Sequence, residues 1–275
     1  MIRDITIGQY YQTDSVLHRL DPRVKLLGTL LYLVSLFCFH NPAGYAVALL
    51  FLILCIRLSH VPFGYMIKGM KGIMMILMIT ILFNLFLTSG TVLVSFWKIT
   101  ITVEGLKLAI TMALRLCMLI IGASLMTLTT TPNHLTDGLE KGLRFLKVIK
   151  MPVHEIAMMM AIALRFIPIL LEETDKIMKA QLARGADFES GGLVRRAKAM
   201  VPLLVPLFVS AFRRANDLAM AMEARCYRGG DGRTKMKPLI YAGRDYAAYL
   251  ILLAYLVISI FLGRWSVMTE LLTSL

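Results

Sequence analysis

Apolar residues run along this chain in long blocks, and polar residues gather in the intervals between them. Runs that could cross a bilayer extend roughly from Val24 to Phe39, Gly44 to Leu58, Gly72 to Thr88, Gly105 to Leu128 and Tyr246 to Leu262. His40-Asn41-Pro42-Ala43-Gly44 carries turn chemistry, which makes the first two runs a hairpin. The stretch Thr91 to Val103 has the β-branched and aromatic content of a surface loop or an interfacial hairpin.

A different pattern occupies the interval between the fourth and fifth runs. Ile156, Met159, Met160, Ala163, Ile167, Leu170, Leu171, Ile177 and Met178 recur mostly at helical spacing, and each polar interruption falls off that stripe. Val201, Leu204, Val205, Phe208, Ala211, Phe212, Ala215, Leu218, Ala219 and Met222 repeat the arrangement. Two unusually long amphipathic helices are predicted, each reaching on the order of 50 Å. Pro152 suits a first helical turn, whereas Pro168, Pro202 and Pro206 predict kinks or breaks, and Gly185 and Gly229-Gly230 predict stops.

Composition fits these elements. With 58% hydrophobic residues and a mean hydropathy of +0.72, the 275-residue chain is an all-α polytopic membrane protein: about five transmembrane helices plus a cytoplasmic unit of long helices. The segments expected are residues 1–130 for four membrane helices, 131–242 for the amphipathic unit and 243–275 for the last membrane helix. The net charge of +13 could suggest nucleic acid, but its distribution follows the positive-inside rule. Between Thr129 and Arg244 lie 19 of the 30 Lys and Arg residues, and Arg3, Arg19, Arg23 and Lys25 precede the first run. Five spans put all these clusters on one side, with the N-terminus cytoplasmic and the C-terminus outside, in a cell membrane. The polar start Met1-Ile2-Arg3-Asp4 predicts no cleaved leader.

Catalytic chemistry finds no support. No phosphate loop of the G-x-x-x-x-G-K-[ST] type is present, so ATP hydrolysis is not expected of this chain. His154-Glu155 opens an H-E-x-x-H pattern, yet Met158 stands where the second histidine is required. Cys38, Cys55, Cys117 and Cys226 show neither metal-site nor disulfide spacing. Within the spans only Asn84 and Arg115 are polar enough to mark a transport path, and a structural role suits Arg115 better than substrate contact.

The remaining signals concern contacts. Asp21-Pro22-Arg23 sets a turn before the first span, as a membrane anchor or a subunit contact. Methionines concentrate at Met66 to Met78 and Met151 to Met160, as lipid-facing filler or as adaptable partner surfaces. Two triplets, Ala183-Arg184-Gly185 and Ala224-Arg225-Cys226, end the two amphipathic stretches 41 residues apart. Each arginine could serve a helix C-terminus or a lipid phosphate, or the two could enter a pair of equivalent sockets.

With these motifs the chain resembles, over nearly its full length, the transmembrane T component of energy-coupling factor (ECF) transporters, the relatives of CbiQ and BioN. The resemblance rests on Ser15 to Lys25, the apolar N-terminal half and both triplets, the second leading into Tyr227-Arg228-Gly229-Gly230. It implies a complex with two ABC-type ATPases, which bind the ATP-Mg, and with one or several substrate-binding S components for vitamin or metal-ion uptake; no cofactor binds this chain directly. By the same resemblance Ala183, Arg184, Gly185, Ala224, Arg225 and Cys226 dock the ATPases, and Met159, Met160, Ala163, Ile167, Phe208 and Phe212 face the S component. Cys226 departs from the glycine of the pattern. The alternative is the permease subunit of a conventional ABC importer with its own substrate pathway.

Overall fold

The computed structural model describes residues 10–38, 41–96, 99–188, 192–230, 236 and 238–273. In chain order the elements are α1 (Pro22–Cys38), α2 (Pro42–Ser59), α3 (Phe63–Lys71), α4 (Met74–Leu87), β1 (Val92–Phe96), β2 (Ile99–Thr102), α5 (Val103–Thr129), α6 (Pro132–Gly142), α7 (Val153–Ala183), α8 (Leu193–Ala224) and α9 (Gly243–Thr273). A 3₁₀ turn, Leu143–Ile149, precedes α7. The protein is an all-α polytopic membrane protein, and one small hairpin interrupts its helices.

Two compact units divide the chain. The larger comprises residues 8–138 and 239–275. In it α1 and α2 pack on α5 and α9, around Tyr32, Leu36, Tyr45, Ala48, Leu52, Met118 and Tyr255. Polar atoms inside this apolar shell are matched to one another, as burial demands: Ser35 Oγ lies 2.7 Å from both the Tyr32 carbonyl and the Tyr255 hydroxyl. Phe51 stacks on Tyr255 with ring centroids 4.4 Å apart. Gly122 lets α5 approach α1, because a Cβ there would stand 2.7 Å from the Tyr32 ring.

The expected runs at α1, α2 and α5 emerge as helices with ends shifted by a few residues, whereas α9 continues eleven residues past the expected end at Leu262, to Thr273. Pro42 is the first residue of α2, where its missing N–H costs nothing, and His40 lies outside the described residues. The third run differs. Gly72 and Ile73 separate the amphipathic α3 from α4, leaving 14 residues, about 21 Å of helix, for the expected span from Gly72 to Thr88. Thr91 to Val103 forms the hairpin: Phe96 pairs with Ile99, and a bulge falls between Val92 and Val94. Thr102 joins it to α5, its hydroxyl accepting from Gly105 N at 3.1 Å and donating to Thr88 O at 2.9 Å.

Among the described residues four helices are long and apolar enough to cross a membrane: α2, α5, α7 and α9. α7 qualifies through its first half and continues into the charged stretch Glu172 to Lys179.

The second unit, residues 139–238, is built on α7 and α8. Of the expected kinks or breaks at Pro168, Pro202 and Pro206, no break occurs; α7 runs for 31 residues and α8 for 32. A proline N–H is missing at Pro206, which frees the Pro202 carbonyl four residues earlier. Gln181 Nε2 of α7 donates to that carbonyl at 3.3 Å. The neighbouring helix supplies what the proline withholds.

Candidate functional site

Two helix tips and the apolar faces between them are the features of the second unit with chemistry to offer. α7 and α8 run antiparallel: Glu173 meets Ser210 and Arg214, while the later Gln181 meets the earlier Pro202. Arg214 Nη2 lies 2.6 Å from Glu173 Oε2, and the Ser210 hydroxyl donates to the same carboxylate. That hydroxyl and the guanidinium hold the Glu173 carboxyl below the usual carboxylate range. Ile162, Phe166 and Leu170 of α7 face Ala215, Leu218 and Met222 of α8 across an apolar cleft of about 270 Å³.

The triplets end both helices by the same device. At α7 the Gly185 N–H bonds Leu182 O and the Ala186 N–H bonds Gln181 O, each at 3.0 Å, with Gly185 at φ +85°. At α8 the Cys226 N–H bonds Glu223 O at 2.8 Å and the Tyr227 N–H bonds Met222 O at 3.0 Å, with Cys226 at φ +56°. Both are Schellman motifs, in which a left-handed residue turns the chain back on the last carbonyls. Arg184 and Arg225 occupy the C-cap of each. Cys226 thus takes the conformation for which glycine is ordinarily required. The expected stop at Gly229-Gly230 is too late: α8 ends at Ala224, and Gly229, also left-handed at φ +94°, lies beyond it.

Both arginines are exposed, and among the described residues neither makes an ion pair. The 41-residue offset that relates Arg184 to Arg225 also relates Glu173 to Arg214. The bridging pair therefore sits where the two repeats cross, and each tip lies 11 residues, about 16 Å of helix, beyond it in opposite directions. An approximate two-fold relation between the tips follows, with charges of opposite sign at its centre.

The apolar stripes divide into an inner and an outer set. Met159, Met160, Ala163 and Ile167 on α7 are exposed, as are Phe208 and Phe212 on α8, which leave 61% and 69% of their surfaces open. Val201, Leu204, Val205 and Val209 are exposed as well, so both helices leave apolar faces uncovered. Ile162 and Phe166, absent from the expected stripe, face the cleft instead; the i, i+4 row one position along from Met159 and Ala163 was their signal.

Other predicted residues lie in the first unit. Asp21 is buried, its carboxylate accepts from Arg23 N at 2.9 Å, and its own N–H donates to Asp245 Oδ1 at 2.8 Å. Asp245 also accepts from Ala242 N at 2.8 Å. Arg23 reaches Leu239 O at 3.1 Å and lies 4.5 Å from the Tyr241 ring centre. Asp21-Pro22-Arg23 thereby clamps the start of α1 to the start of α9. Arg115 bonds the Tyr45 hydroxyl and lies over Phe37, and Asn84 Nδ2 turns back to Thr80 O at 2.8 Å. His154 Nδ1 meets Glu140 Oε1 at 2.9 Å, and among the described residues no group of three or more His, Cys, Asp and Glu could hold a metal.

Comparison with known proteins finds transporter relatives along nearly the whole chain. The family profile CbiQ, cobalt transport protein, matches residues 13–236. An energy-coupling factor transporter transmembrane protein EcfT of Clostridium kluyveri is 56% identical over 267 residues, covering 96% of this chain and 99% of that protein. The EcfT of Acidaminococcus fermentans is 50% identical over 97% of this chain and 99% of its own length, and that of Bacillus subtilis 47% over 95% and 99%.

Proposed function

The chain belongs to the CbiQ family of transporter transmembrane proteins, and from that membership we propose that it is the energy-coupling scaffold of an ECF-type importer. Arg184 and Arg225 each dock one of two ABC-type ATPase subunits, which bind ATP-Mg and hydrolyse it. The exposed faces of α7 and α8, with Met159, Met160, Ala163, Ile167, Phe208 and Phe212, hold a membrane-embedded S component. Closure of the ATPases moves the two tips, and the helices carry that motion to the S component and its vitamin or metal ion. The N-terminus and the tips lie on the cytoplasmic side, where the basic residues gather.

One observation carries the reading: two exposed arginines on matched Schellman tips, related by an approximate two-fold across the Glu173–Arg214 pair. A dimeric ATPase presents two equivalent sockets, and one chain with two equivalent tips fills both. Arg suits such a socket because its fork of donors fits acidic and carbonyl groups and keeps its charge. Truncating a guanidinium in a desolvated groove costs roughly 2–5 kcal/mol of association. Arg184→Ala combined with Arg225→Ala abolishes ATP-dependent uptake in reconstituted vesicles while the chain still inserts. Normal uptake by that double variant refutes the coupling role.

A further inference from the structure

We propose that the cavity between α1, α2, α5 and α9 binds one anionic phospholipid, with an acyl chain inside and the phosphate on Lys25 and Arg244. The cavity measures about 280 Å³, and Leu20, Gly28, Phe51, Gly122 and Leu252 are among its walls. Gly28 lets α9 approach α1 at the cavity wall, since a Cβ there would stand 2.9 Å from Leu252 Cδ1. The walls are otherwise mostly apolar, and among the described residues the charged ones lining it are Lys25 and Arg244, both cations.

These two residues share one end of the cavity. α1 and α9 run parallel, because Asp21 bonds Asp245 at their starts and Ser35 bonds Tyr255 farther along both. Lys25 lies in the first turn of α1 and Arg244 in the first turn of α9, so both stand at the headgroup boundary of their helices. Lys25 Nζ donates to His18 O at 3.2 Å and Thr129 O at 2.9 Å, which leaves one of its three N–H groups for a ligand. Arg244 is exposed and makes no described hydrogen bond. The nearest carboxylates, Asp21 and Asp245, accept backbone N–H bonds and do not line the cavity, although both act on Lys25 through their charge.

Tyr32 also lines the cavity and is 3% exposed. A free anion would satisfy the cations and leave the apolar walls unfilled.

Native mass spectrometry of the full chain in detergent, with phosphatidylglycerol and phosphatidylcholine of identical acyl chains, tests the assignment. One phosphatidylglycerol is expected to be retained in preference to phosphatidylcholine, and Arg244→Gln lowers that preference about fivefold. Ala248→Phe, which fills the cavity without changing charge, removes retention of both lipids at an unchanged thermal midpoint. Inorganic phosphate at millimolar concentration leaves the bound lipid in place. Equal retention of the two lipids, indifference to both substitutions, or displacement by inorganic phosphate overturns the proposal. Loss of the lipid on assembly with a membrane partner chain also overturns it, since a protein helix then occupies the cavity.

Discussion

The left-handed Cys226 allows a quantitative test of the tip geometry. An L-residue with a Cβ pays roughly 1–2 kcal/mol to occupy φ +56°, and glycine pays nothing there. Replacing it by glycine also frees the unfolded chain, which returns roughly 0.5–1 kcal/mol. Cys226→Gly should therefore stabilise the closed tip by about 0.5–1 kcal/mol, and Gly185→Ala, at φ +85°, should weaken the other tip by a similar amount. Cys226→Val should open its tip further than the wild type, because a β-branched residue is a stronger outlier in that conformation. Hydrogen exchange reads this directly at the two amides that close each motif, Tyr227 and Cys226 on α8, Ala186 and Gly185 on α7. Corrected for intrinsic rates, the Tyr227 amide should slow roughly two- to fivefold in Cys226→Gly, and the Ala186 amide should quicken by the same factor in Gly185→Ala. Unchanged rates, or faster exchange in Cys226→Gly, would refute the strained cap.

Other consequences are more local. Asp245→Ala strips a buried N–H group, of Asp21, and a part-buried one, of Ala242, of their acceptor and should cost about 2–3 kcal/mol, seen as a lower thermal midpoint, while Asp245→Asn costs less. A double-mutant cycle on Glu173→Gln and Arg214→Met should return a coupling of about 0.5–1 kcal/mol, since the pair is only partly shielded; a value indistinguishable from zero would remove it as a link between the helices. Burial holds the His18 imidazole below its ordinary 6.5, so the folded state binds fewer protons than the unfolded one. Its contribution is full above pH 6.5 and is lost as pH falls toward the folded value, and His18→Gln should flatten the thermal midpoint between pH 7.5 and 5.5.

Continuous apolar runs made α1, α2, α5 and α9 legible in the sequence, because burial in a bilayer demands unbroken hydrophobicity. α3 and α6 escaped notice: each is short and amphipathic, and its periodicity is too brief to rise above the surrounding polar sequence. The prolines do not break their helices, and at Pro206 the reason is tertiary. Nothing local to Pro206 reveals that Gln181, on another helix, will donate to the carbonyl it frees. The triplets, visible by recurrence, mark both helix ends, whereas Gly229-Gly230 lies beyond the end of α8 because a cysteine holds the left-handed position that glycine ordinarily takes. Asp21 stood out by its neighbour Pro22, but its partner Asp245 is 224 residues away and carries no pattern of its own.

The central claim is that Arg184 and Arg225 are two separate docking points for two ATPase subunits. Native mass measurement of the complex assembled on wild-type chain, on each single Arg→Ala variant and on the double variant addresses it most directly. Two ATPase subunits are expected on the wild type, weakened occupancy of one site in each single variant, and none on the double variant. Two subunits retained at wild-type occupancy on the double variant would contradict it.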